Sequence, residues 1–148
     1  LKENDIEVRV YMIIGLPGEP ENIVDLTWNF VEEVDPDLVV LSLFTVRPGT
    51  EIFKHPEQFG IKRVSTNWSK TMHMASRYDN EEPTLTFEYE KETPWGKSIS
   101  ADQIIKNYLE LQQRLKERNI STAFYKNKLF PIFMFSTLTI FRFKLHIV

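Results

Sequence analysis

Apolar positions follow three kinds of pattern along the chain. From Ile6 to Ile14 they recur at period two: Ile6, Val8, Val10, Met12 and Ile14 share one face of an extended segment. The second half, Val10 to Ile14, is apolar on both faces, the pattern of a strand covered on both sides as in a parallel sheet. Gly15-Leu16-Pro17-Gly18 then breaks the run as a turn. After it Ile23, Leu26, Phe30, Val31 and Val34 fall at helical spacing, which predicts a helix over about residues 20–34. Pro20 suits the first helical turn, and Glu19 and Glu21 place negative charge at its positive end. Asp35-Pro36-Asp37 stops the helix, and Leu38 to Phe44 is a second near-continuous apolar run.

Strand, turn, helix, short loop and strand make a βαβ unit, whose two strands are expected to be parallel with a right-handed crossover. Ligands of such units sit at the carboxyl ends of the strands, here Gly15–Glu19 and Thr45–Thr50. Further on the pattern weakens. Residues 50–59 suggest a short helix broken at Pro56, residues 61–99 read as irregular, and Thr84 to Tyr89 alternates as a short strand. Ser100 predicts the cap of a long helix, with Gln103 as capping-box partner, an apolar stripe of Ile104, Ile105, Tyr108, Leu111 and Leu115, and an end near Asn119. Lys106, Glu110, Arg114 and Lys116 read as its solvated face.

Composition changes this picture in two places. The 148 residues, 42% hydrophobic and 26% charged, suit about one folded domain. A net charge of −3 argues against general binding to a nucleic-acid backbone. That average hides a division: residues 121–148 hold four basic residues, no acid and six of the eleven phenylalanines, whereas residues 1–120 carry −7. The stretch Leu129 to Phe141 is shorter than the roughly 20 apolar residues of a membrane span. Membrane association of the tail, a buried terminal strand and a tail foreign to the domain all stay open. The first residue is Leu1, so the chain is expected to start inside something larger or to have been processed; no signal peptide opens it, and a cytoplasmic location is expected. The second change is the absence of cysteine, which excludes a disulfide framework, a thiolate nucleophile and any cysteine-held metal or cluster in this chain. His55, His73 and His146 have no ligand spacing, so no metal site is expected.

The chemistry concentrates in two segments. Ile13-Ile14-Gly15-Leu16-Pro17-Gly18-Glu19 lacks both the dinucleotide-binding glycine spacing and the lysine of a phosphate loop, and taken alone reads as an ordinary βα turn. The second segment, Ser42-Leu43-Phe44-Thr45-Val46-Arg47-Pro48-Gly49-Thr50-Glu51-Ile52-Phe53, follows at the spacing one βαβ unit dictates. Arg47 suits a substrate carboxylate or phosphate and equally a solvated loop charge.

Together, the Gly15–Pro20 turn, the Asp-Pro-Asp loop, the apolar strand and Pro48–Phe53 resemble the radical S-adenosylmethionine (radical SAM) superfamily, most closely its cobalamin-associated group. Asn67-Trp68-Ser69-Lys70 resembles a segment that often follows in that group. The resemblance covers residues 8–70 well, 71–120 loosely and the tail not at all. It implies an α/β fold: a partial (β/α) TIM-type barrel with a mostly helical C-terminal extension. Residues 1–60 would be the C-terminal part of the radical SAM core and 61–120 a post-barrel extension ending in a helix, with 121–148 a hydrophobic, basic tail whose origin the resemblance does not give. It further implies an enzyme that reductively cleaves S-adenosylmethionine with a [4Fe–4S] cluster, cobalamin being a further cofactor of the group. Ile13, Ile14, Gly15 and Leu16 would contribute apolar and backbone contacts to adenine, with Pro17, Gly18 and Glu19 shaping the turn. Phe44 and Thr45 would line the same mouth and Arg47 the substrate side. The small-molecule substrate is not legible. The cluster cysteines of the family are absent from this chain, so the isolated chain is expected to be inactive, its partner being the upstream remainder of the barrel. Two other readings stand beside this one: an α/β domain that takes a nucleotide or anion at the Gly15–Glu19 turn, and a truncated non-enzymatic product with a membrane-associating tail.

Overall fold

The computed structural model describes residue 4, residues 6–67 and residues 83–122. The segment from Trp68 to Lys70, His73, His146 and the tail from residue 123 lie outside the described residues.

The βαβ unit is present. Strand β1 (Arg9–Ile14), helix α1 (Ile23–Val34) and strand β2 (Leu38–Leu43) follow in order. The strands pair in parallel and in register, from Arg9 opposite Leu38 to Ile14 opposite Leu43. After β2 come a one-turn helix α2 (Glu51–Lys54), a 3-10 turn over Pro56–Phe59 and strand β3 (Ile61–Val64). Strand β4 (Phe87–Tyr89) pairs antiparallel with β3. The small hairpin β5 (Glu92–Thr93) and β6 (Gly96–Lys97) leads into helix α3 (Ala101–Glu117). The short strand expected over Thr84 to Tyr89 is present as β4, while β3 and the β5–β6 hairpin order parts of the 61–99 stretch expected to be irregular. Strands of two to four residues are too short for a clear periodic signal.

One core joins the two ends of the described chain. Ile14, Val24, Val31, Val39, Leu41, Leu43, Ile104, Tyr108, Leu111 and Leu115 form a single buried cluster, so α3 packs with β1, α1 and β2. Residues on both sides of residue 60 therefore share one interior. Arg114 of α3 reinforces the contact between the helices. Its guanidinium pairs with Glu110 at 2.7 Å and with Asp25 of α1 at 3.3 Å, and lies 5.9 Å above the Trp28 ring. Glu110 and Arg114 thus do more than the solvated face predicted for them. A second, smaller cluster of Val46, Ile61 and Phe87 joins the loop after β2 to the β3–β4 pair.

Four other details depart from the sequence pattern. Among the described residues β1 is covered on one face only: Tyr11 is 62% and Ile13 50% exposed, while β2 is buried almost throughout. Helix α1 begins at Ile23, later than the predicted residue 20. It turns Val24, Thr27 and Val31 inward and leaves Leu26 and Phe30 half-exposed. The buried Thr27 in the middle of that stripe disguised the face. Ser100 caps α3 as predicted, accepting from the Gln103 amide, but the Gln103 side chain donates to Asn107 at 2.7 Å and does not close a capping box.

After α3 the chain returns to the sheet. Ser121 lies parallel to Leu38, and its carbonyl accepts from the Val39 amide at 2.9 Å. Asp37 ties the other end of the unit: its carboxylate accepts from the Val8 amide at 2.7 Å, so the Asp-Pro-Asp loop fixes the start of β1.

Candidate functional site

Parallel pairing brings the two predicted segments to the same edge of the β1–β2 pair. The Phe44 amide donates to the Ile14 carbonyl at 2.8 Å, one step beyond the last paired residues. Gly15 follows at φ 94° and Gly18 at φ 78°, both in the region that L side chains rarely adopt. Each is also packed closely. A Cβ on Gly15 would lie 2.9 Å from Ile104 Cγ2, and one on Gly18 would lie 2.9 Å from Trp95 Cγ. The glycines therefore serve close approach of α3 and of the β5–β6 hairpin to the turn.

Glu19 does not act as a helix-end charge. Both its oxygens accept from the Gly15 amide at 2.9 Å, and Oε1 also accepts from the Leu16 amide at 3.2 Å. The turn is closed from within. An anionic ligand would meet a carboxylate already seated on those two amides, which argues against a phosphate held there. Burial raises the Glu19 carboxyl above its ordinary value, and the two backbone hydrogen bonds oppose that rise without cancelling it.

The sign of the pH effect follows. A folded-state carboxyl raised above its unfolded value binds protons more tightly in the native state, so stability falls as pH rises from about 4.5 through the folded-state value. In thermal melts across that window, Glu19→Gln is expected to flatten this decline relative to the native chain. Parallel pH curves for the two proteins would contradict it.

Tyr89 completes the turn. Its hydroxyl donates to the Gly15 carbonyl at 2.9 Å, across 74 residues of sequence. Desolvation and the neighbouring Glu19 charge push the phenol well above its ordinary value, so it stays a donor throughout the physiological range. The cleft lined by Gly15, Glu19, Tyr89 and Ile104 has a volume of only about 10 Å³, room for roughly one water. An adenine ring does not fit on that side.

The other predicted residues divide clearly. Ile14 is 1% exposed and its side chain packs in the main core. Ile13 and Leu16, 50% and 42% exposed, present apolar surface beside the turn. Pro17 lies within the turn, partly buried. Phe44 packs its ring edge-on to Phe87 at 5.3 Å. Thr45 is half-buried, its hydroxyl 3.5 Å from the Leu43 carbonyl. Arg47 is exposed, and its carbonyl accepts from the Thr50 hydroxyl at 2.7 Å. Tyr89, Trp95 and Ile104 also reach the turn, with no sequence signal that places them there. A tyrosine in a three-residue strand carries no signal until the turn it touches is known.

Among the described residues no group of three or more His, Asp or Glu side chains is placed to hold a metal ion. His55 lies 3.8 Å from Glu51 and 3.7 Å from Glu57, an exposed surface trio along α2 and the 3-10 turn. Nor is any described helix long and apolar enough to cross a membrane.

The fold and site define a mixed α/β unit with a parallel βαβ strand end closed by its own carboxylate. Against known proteins, the chain is similar to two curated relatives, each named ribosomal protein uS12 methylthiotransferase RimO. The protein of Opitutus terrae is 33% identical over 67 residues, 45% of this chain and 14% of that protein. The protein of Roseiflexus castenholzii is 29% identical over 77 residues, 52% of this chain and 16% of that protein. The similarity is partial and of low identity, and the matched stretch is a small part of either relative. No family model matches the chain, and no solved structure does.

Proposed function

We propose that this chain is part of a radical SAM enzyme, and that its share is one wall of the site for the adenosyl group. The observation that carries this reading is the joint placement of two motif segments. Gly15–Glu19 and Phe44–Arg47 follow the ends of two parallel strands of one βαβ unit, where α/β folds bind ligands. The similarity to two methylthiotransferases, enzymes of that superfamily, supports the superfamily and lends no support to the narrower cobalamin-associated group.

The residues present fit the two cofactors differently. For the adenosyl group, Ile13 and Leu16 offer exposed apolar surface next to backbone polar groups, the combination an adenine slot needs. For a [4Fe–4S] cluster the chain offers no cysteine, so the residues here do not fit it. The partial barrel, with the rest of its wall supplied by other strands, remains part of this proposal.

Isothermal titration with S-adenosylmethionine tests the reading. Binding in the millimolar range, about −4 kcal/mol, is expected for a half-built site. Ile13→Glu is expected to abolish it, because a carboxylate replaces the apolar wall. Binding that survives Ile13→Glu unchanged would place the ligand elsewhere and refute the assignment.

A further inference from the structure

The register of the sheet shows which way the Gly15 peptide groups point. The Val8 carbonyl, just before β1, accepts from the Leu38 amide and the Ile14 carbonyl from the Phe44 amide, so the even-numbered residues along this edge turn their backbone groups toward β2. Gly15 turns its own the other way, to the outer edge of β1. Side chains take both of those outward groups. Glu19 holds the Gly15 amide, and the Tyr89 hydroxyl holds the Gly15 carbonyl.

The peptide that joins Gly15 to Leu16 is consequently gripped at both ends. Its carbonyl receives the Tyr89 hydroxyl at 2.9 Å, and its amide donates to Glu19 Oε1 at 3.2 Å. This grip has a purpose. A peptide that follows a glycine at φ 94° has no Cβ to favour one orientation over its flipped alternative. Tyr89 is itself fixed. It lies opposite Ile61 in the β3–β4 ladder and packs edge-on to Phe87 at 4.9 Å. Phe87 in turn packs on Phe44, the first residue after β2. The three-residue strand β4 therefore touches both strand ends at once.

We propose that Tyr89 is a positioning residue of the strand-end site: it locks the orientation of the Gly15–Leu16 peptide and so sets how Ile13 and Leu16 are presented to a ligand. The ligand's identity as an adenosyl group rests on the proposed function above, whereas the lock does not.

Residue-resolved amide hydrogen exchange on the full 148-residue chain tests it, comparing the native protein with Tyr89→Phe. The variant keeps the ring and removes one hydroxyl. Exchange at Leu16 and Gly15 is expected to quicken about five- to tenfold, the factor that one neutral hydrogen bond commands. Amides of α1 and α3 are expected to keep their native rates. Unchanged exchange at Gly15 and Leu16 would overturn the proposal. So would an acceleration spread evenly over the domain, which marks a merely structural tyrosine. Should Tyr89→Phe fail to fold, Phe87→Leu, which loosens the ring packed on Tyr89, is expected to quicken the same two amides first, and unchanged rates there would overturn the proposal.

A parallel titration with 5′-deoxyadenosine separates the lock from the ligand. Several-fold weaker binding to Tyr89→Phe than to the native chain supports both. Equal binding to the two proteins overturns the positioning role. Faster exchange at the two amides with no binding to the native chain upholds the lock and refutes the adenosyl reading.

Discussion

Replacing Gly15 with valine is expected to cost this protein about 2–6 kcal/mol, a large part of the total stability of a small domain. Two effects add. A β-branched residue at φ 94° stores backbone strain of about 1–3 kcal/mol. Its Cβ would also press on Ile104 Cγ2 at 2.9 Å, and overpacking of that kind costs about 1–3 kcal/mol more. Ile104 is 1% exposed and sits in the main core, so it has little room to withdraw. Gly49, also at positive φ but with open space around its missing Cβ, separates the two effects: Gly49→Ala should show the strain alone. Urea unfolding followed by circular dichroism measures both. A Gly15→Val protein as stable as the native chain would mean that α3 does not lie against the turn.

Leu111→Ala probes the union of the two ends of the described chain. Leu111 is fully buried among residues of β1, α1, β2 and α3. Its truncation is expected to cost about 2–5 kcal/mol, the transfer of the lost groups plus the cavity left behind. Leu109, two residues away and 45% exposed, is the control, with an expected change within about 0.5 kcal/mol. The form of the transition matters as much as its midpoint. If α3 shares a core with the βαβ unit, Leu111→Ala unfolds in one transition at lower denaturant. If α3 were an independent extension, the variant would lose helix in a first step and retain the β1–α1–β2 core until a second.

These two residues also mark what the amino-acid pattern conveyed. The βαβ unit was legible because its elements are long enough for their periods to register, and because Gly15, Gly18 and the Asp-Pro-Asp loop punctuate them. α3 was legible as an amphipathic helix with a serine cap. Its partner was not, since a stripe of Ile104, Tyr108, Leu111 and Leu115 states that something is buried without stating against what. The same limit explains Leu26 and Phe30: helical spacing placed them on a stripe, but Val24, Thr27 and Val31 face the sheet.

Glycine in the turn was legible as a breaker, whereas the reason for it was not. Ile104 and Trp95 approach it from 89 and 77 positions away in sequence. Glu19 read as a helix-dipole charge because helix starts favour acids, yet a βα turn that leaves two amides unpaired offers the carboxylate a better use. Tyr89 was invisible for the same reason. Its role depends on a single contact with the Gly15 carbonyl, and contacts of that range leave no local pattern. Ile13 was expected to be covered and is half-exposed, since alternation shows that a residue is apolar and does not show what surrounds it.

If the ends of β1 and β2 form one wall of an adenosyl site, a residue-by-residue nuclear magnetic resonance titration of the full chain with 5′-deoxyadenosine will show it. Saturable shifts are expected at Ile13, Gly15, Leu16 and Thr45, with the buried positions Leu111 and Leu115 unmoved. Shifts centred elsewhere, or none at these four residues at saturating nucleoside, would contradict it.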